Sequence, residues 1–184
     1  DFQGSRGLGD VYKRQGLLAA SGVLLGWPKA TGIVCDIGGS SLEIAYLENG
    51  KIKTAQSFEL GPLALQDYHV LGKSKLEVIK LKLSKINKSF PNKINSLFLV
   101  GGCWRGLAKI HMNLTNYPLK VLQGYKVSVK NFDPTLEFIS NTKNTELLQI
   151  KSSSEERVKL LPDACIVLKS IYEKFFQREL FFSG

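Results

Sequence analysis

The stretch 32-GIVCDIGGSSLEIAYLENGK-51 decides how the rest of the chain is read. An apolar strand, Ile33 to Ile37, carries one acid, Asp36, and runs into Gly38-Gly39-Ser40-Ser41; a second strand, Leu42 to Leu47, returns with Glu43. If Gly39 and Ser40 are the centre of a tight hairpin, Gly38 pairs with Ser41, Ile37 with Leu42 and Asp36 with Glu43; a longer loop shifts the register but leaves both acids at the same sheet end. Two carboxylates then stand cross-strand on one face, their Cβ atoms about 5 Å apart. Like charges so placed destabilise a sheet unless a cation or a proton lies between them, and oxygen-only ligation with retained waters suits Mg²⁺. The missing side chains at Gly38 and Gly39 let backbone N–H groups approach an anion, and Ser40 and Ser41 add hydroxyl donors. The competing reading is a hairpin that uses Gly-Gly only to turn.

Working outward, Asn49-Gly50 signals a hairpin turn into a third strand at Lys53 to Leu60, so three strands follow one another as a meander. Gly61-Pro62 opens a helical stretch. A helix from Ser74 follows, with Leu76, Ile79, Leu83 and Ile86 as its buried stripe. A fourth strand, Ser96 to Val100, ends in the second glycine loop, 100-VGGCWRG-106, and a helix runs from about Trp104 to Met112. That loop repeats the first: apolar strand, paired glycine, small residue. Here it leads into a helix N-terminus, whose free N–H groups and positive dipole end favour anions. A possible strand at Tyr125 to Val129, a helix behind Asp133-Pro134, a long helix from about Asp163 to Phe176 and a fifth strand at Glu179 to Phe182 complete the chain. The order βββαβαβ predicts an α/β fold, a mixed sheet of about five strands flanked by helices. Leu17 to Leu25 reads as a short helix before it.

The 184 residues, 43% hydrophobic and 22% charged, suit one domain or a tight pair of small ones. No apolar run approaches the roughly 20 residues of a membrane span, so no membrane partner is expected. Cys35, Cys103 and Cys165 are odd in number and widely spaced, which fits neither a disulfide framework nor a metal-binding pair and points to a reducing cytoplasm. The net charge of +9 favours polyanionic partners, although the lysines from Lys73 to Lys93 read first as a solvated helix face. Those lysines lack the clustered aromatics that stack bases, which argues against specific nucleic-acid binding. Trp104 and His111 read as packing residues; Arg105 is either a charge for the site or a surface ion-pair partner.

Taken in order, these motifs resemble the exopolyphosphatase/guanosine pentaphosphate phosphatase (Ppx/GppA) family, within the actin, sugar kinase and Hsp70 ATPase-like superfamily. "DIGGSSLEI" is similar to the family's first phosphate loop, "GPLAL" to a Gly-x-x-x-Leu step after its third strand, and "VGGCWRGLAKIHM" to its second phosphate loop. "SSSEERVKLLPDACIVL" looks like the Ser-x-x-Arg and proline segment ahead of the last long helix, and "ELFFSG" like the final strand. The resemblance implies a ribonuclease H-like, actin-like ATPase domain. It also implies release of terminal phosphate from inorganic polyphosphate, or of the 5′ γ-phosphate of guanosine pentaphosphate, with Mg²⁺. Asp36 and Glu43 fall on the metal and water-positioning carboxylates, Gly38, Gly39, Ser40 and Ser41 on the first phosphate loop, and Gly101, Gly102 and Cys103 on the second. A homodimeric parent fits the resemblance too.

Three positions depart from the family pattern. Ser40 stands where a third glycine is usual, and Cys103 where a small hydroxylated residue is common. The family's general-base glutamate falls in register with Gln15. Residues 1–15 show neither helical nor strand periodicity, resemble a recurrent non-coding tail on translated fragments, and are expected to be appended. Residues 16–184 are then the second domain of such a phosphatase, truncated at both ends and close to inactive. Two rival readings stay open: a sugar or acetate kinase of the same superfamily, and a basic polyanion-binding module without catalysis.

Overall fold

The computed structural model describes residues 4–70, 74–150, 155–175 and 178–183. In chain order the elements are α1 (Gly4–Gly26), β1 (Gly32–Ile37), β2 (Leu42–Glu48), β3 (Lys51–Phe58), α2 (Pro62–Val70), α3 (Lys75–Ser84), β4 (Ser96–Val100) and α4 (Gly102–Leu114). Then come β5 (Tyr125–Ser128), α5 (Val129–Asn141), α6 (Asn144–Gln149), α7 (Glu155–Val158), α8 (Leu161–Phe175) and β6 (Glu179–Phe182). The sheet order is β3-β2-β1-β4-β6-β5. The first three strands form the antiparallel meander, β4 and β6 continue parallel to β1, and β5 closes the edge antiparallel to β6. This is the expected mixed α/β sheet, with the possible strand at Tyr125 to Val129 present as β5, a sixth strand. Tyr125–Ser128 is short and is held as a strand by its pairing with β6.

Strand alternation sorts the core into two layers. Ile33, Cys35 and Ile37 of β1 join Leu42, Ile44, Leu97 and Leu99 in the larger core, together with residues of α2, α3, α4, α5 and α8. Val34, Ala45, Leu47 and Phe98 point the other way and pack on Ala20 and Val23 of α1. Within β1 every residue is buried except Asp36, which is partly exposed. The Trp104 indole N–H donates to the Cys35 carbonyl across 3.1 Å, so a fully buried tryptophan ties α4 to the central strand as a packing residue. His111 is likewise internal, 2.7 Å from the Thr135 hydroxyl, and burial holds its imidazole below the usual range.

Asn49 and Gly50 adopt φ of 50° and 76°, the left-handed pair that a two-residue hairpin demands. Other expectations shift. The helix foreseen over Leu17 to Leu25 extends back to Gly4, across most of a stretch that lacks helical periodicity. On α3, Ile79 and Leu83 are buried as expected, but Val78 shares the inner face while Leu76 is exposed. The helix turns its inner face toward α8, to which Lys75 is bound by a bidentate ion pair with buried Asp163, at 2.7 and 2.9 Å. Lys80 and Lys82 pair with Glu173 and Glu59, so much of this lysine stretch is a structural, ion-paired surface. Cys35, Cys103 and Cys165 are free and buried. Among the described residues no helix is long and apolar enough to cross a membrane.

Candidate active site at the carboxyl ends of β1 and β4

The register of the first hairpin is the one its sequence predicts: Asp36 opposes Glu43 and Ile37 opposes Leu42, with the Gly38 N–H donating to the Ser41 carbonyl at 2.9 Å. Asp36 and Glu43 therefore share the face of the sheet that α1 covers. Glu43 is 3% exposed and accepts a hydrogen bond from the Ser57 hydroxyl at 3.2 Å. Burial, and then the charge of Glu43, push the Asp36 carboxyl up to about 6, while the Arg105 guanidinium pulls it down. Arg105 thus acts on the site through its field, and among the described residues neither carboxylate is in a salt bridge.

Because β1 and β4 are parallel neighbours, with Asp36 level with Val100, their two glycine loops emerge side by side. Gly101 caps α4 with φ 113° and ψ 166°, a conformation essentially confined to glycine. A Cβ there would sit 2.8 Å from Asp36 Oδ1 and 2.9 Å from the Ile37 carbonyl oxygen, so the second loop lies directly against the first. Gly102 and Cys103 begin α4, whose first turn offers unpaired N–H groups at the same end of the sheet. The Cys103 thiol is buried; its burial pushes it up and the nearby Arg157 pulls it down.

Beside the first loop and the two acids lies an open cavity of about 440 Å³, lined by Gln15, Leu18, Ala19, Asp36, Gly38, Gly39, Ser41 and Glu43. Gln15, on exposed α1 surface, forms its wall facing the two acids. Next to Gln15, Gly16 packs on Glu43, where a Cβ would lie at ordinary contact distance, 3.5 Å from that of Glu43. The Gly38 N–H is spent on the hairpin, so the loop donors left for a ligand belong to later residues.

Arg157, whose only sequence signal is its place in the Ser-x-x-Arg spacing, brings its guanidinium beside the second loop, where a Cβ on Gly102 would lie 3.9 Å from it. Ser154 lies outside the described residues. No cluster of three or more metal-ligating side chains occurs among the described residues. Two opposed carboxylates without a cationic partner nevertheless suit Mg²⁺, which keeps several of its waters and binds through one or two carboxylates.

A family model described as the Ppx/GppA phosphatase family matches residues 13–184. Among solved structures, the chain is similar to the Aquifex aeolicus Ppx/GppA phosphatase in its type II variant, with TM-score 0.76 and 19% identity over 94% of this chain and 59% of that one. It is similar also to an exopolyphosphatase from Cytophaga hutchinsonii, with TM-score 0.74 and 19% identity over 93% of this chain and 59% of that one. The chain therefore spans about three fifths of these relatives, and at such identities the likeness shows the fold. No curated protein sequence matches it.

Proposed function

Since the chain belongs to the Ppx/GppA phosphatase family, we propose that it is the second domain of a phosphoanhydride hydrolase acting on inorganic polyphosphate or guanosine pentaphosphate. The observation that carries the reading is the opposed pair Asp36 and Glu43 at the mouth of two adjoining glycine loops. In the reaction, water adds to the terminal phosphorus, the bridging P–O bond breaks, and orthophosphate leaves a chain one phosphate shorter. Loop amides and the start of α4 hold the terminal phosphate, while Arg157 stands close enough to meet its charge. Asp36 and Glu43 would hold Mg²⁺, which supplies charge neutralisation at the bridging oxygen. Glu43 is fixed by the Ser57 hydroxyl and nearly excluded from solvent, which holds its carboxylate in place opposite Asp36.

Gln15 occupies the wall from which a base would draw a proton from the attacking water. An amide is a poor proton acceptor near neutral pH, so the chain binds substrate phosphates and turns them over slowly. The reading extends to a cytoplasmic protein and, for a full-length parent, a homodimer.

Calorimetry with tripolyphosphate tests the site directly. Binding is expected only with Mg²⁺ present and is lost in the double variant Asp36→Asn, Glu43→Gln. Binding that ignores both Mg²⁺ and that double variant would transfer the argument to the basic-surface reading. Transfer of the ATP γ-phosphate to a sugar or acetate would favour a kinase.

A further inference from the structure

The structure assigns a task to the step from Gly61 into α2: we propose that it sets the polarity of the β1–β2 loop, turning the N–H groups of Ser40 and Ser41 toward a bound phosphate. This rests on reading that loop as a phosphate site. The observation is a pair of hydrogen bonds running into the loop from Gly61 and from the first turn of α2. The Leu63 N–H donates to the Gly39 carbonyl at 2.8 Å and the Gly61 N–H to the Ser40 carbonyl at 3.1 Å.

Peptide geometry converts those bonds into a direction. In a planar trans peptide the C=O of one residue and the N–H of the next point opposite ways, and no cis bond occurs among the described residues. With the carbonyls of Gly39 and Ser40 drawn to α2, the N–H groups of Ser40 and Ser41 must point away from it. Away from α2 is toward the acids. Leu65 of α2 packs with Ile33, Cys35 and Ile37 in the larger core, whereas Asp36 and Glu43 alternate onto the face that α1 covers. The two amides are thus aimed to the side where the cavity opens, beside the carboxylates that would hold the cation. A reversed peptide would present a carbonyl there and repel the phosphate.

Gly61 is required by space, not by backbone conformation. A Cβ at this position would run into the Gly39 carbonyl and lie 2.5 Å from the Ser40 carbonyl carbon, and backbone cannot swing aside as a side chain can. Pro62, at the first helical position, presets the turn that delivers the Gly61 and Leu63 amides. The positive end of the helix dipole then favours the two carbonyls it receives. Gly61 is therefore a positioning residue, acting on phosphate through the loop.

Titration of ¹⁵N-labelled chain with pyrophosphate and Mg²⁺ tests this atom by atom. The Ser40 and Ser41 amide resonances are expected to move most within the loop and Gly38 to stay nearly fixed. Gly61→Ala is expected to weaken pyrophosphate about tenfold or more, the scale of one lost charge-assisted hydrogen bond. Mg²⁺ affinity measured without phosphate should change less than about twofold on the same scale. Gly22→Ala, on α1 with open space around it, serves as the neutral control. A dominant Gly38 response, or unchanged pyrophosphate affinity in Gly61→Ala, overturns the role of α2 and spares the phosphate site. Failure of the unsubstituted chain to bind pyrophosphate removes both. Should Gly61→Ala not fold, the wild-type titration decides alone.

Discussion

Replacing Asp36 by asparagine should make the metal-free chain more stable at pH 8, although it removes a site residue. Asp36 opposes nearly buried Glu43, and its carboxyl is pushed from 3.8 to about 6 by burial and by that neighbour. A carboxyl whose pKa is raised on folding contributes most below its unfolded value, near pH 4, and that contribution is lost as pH rises through about 6. Two units correspond to about 3 kcal/mol at most. Asp36 keeps contact with solvent, which screens the charge, so about 1–2 kcal/mol is the working figure. In a domain of this size that raises the melting temperature of Asp36→Asn by roughly 3–6 °C at pH 8 in chelator, with no gain at pH 4. Mg²⁺ inverts the ranking: at about a hundredfold excess over its dissociation constant it adds about 2.7 kcal/mol to the wild type only. Thermal melts by circular dichroism at the two pH values, with chelator and with Mg²⁺, read all of this. An Asp36→Asn chain equally destabilised at pH 4 and pH 8 would show that the carboxylate is a stabilising partner in the apo protein, and the strained-pair argument would fall.

Two further outcomes concern the cavity wall and the second loop beside Asp36. Gln15→Glu restores a proton acceptor to the wall facing Asp36 and Glu43, and orthophosphate release from tripolyphosphate with Mg²⁺ should rise by about 10²-fold or more; an unchanged rate would detach Gln15 from the chemistry. Gly101→Ala forces a side chain into a glycine-only backbone conformation and against Asp36, so chemical denaturation should show a loss of about 3 kcal/mol, whereas Gly22→Ala in open helical surface should gain up to about 1 kcal/mol.

The parts of this molecule that were legible in its sequence are those whose geometry is set by their immediate neighbours. The register Asp36 to Glu43 follows from the shortest hairpin that Gly39-Ser40 allows, and the Asn49-Gly50 turn from the left-handed backbone those two residues tolerate. The meander, the two loops and their common sheet end come from the same local logic, extended by the parallel pairing of β1 with β4. What stayed hidden depends on distant chain. Leu76 is exposed because α3 turns its inner face to α8, and Arg157 reaches the second loop from a separate segment; β5, legible only as a possible strand, is fixed as one by its pairing with β6. The glycines divide along the same line. Gly50 and Gly101 are demanded by their own φ, whereas Gly61 is demanded by a loop that folds onto it, so its Gly-x-x-x-Leu pattern gave no hint of what it touches. That difference carries into the chemistry. A glycine loop in sequence announces only that amides can approach an anion; which amides are free depends on where its carbonyls are taken, and here Gly61 and α2 take one each and the hairpin a third.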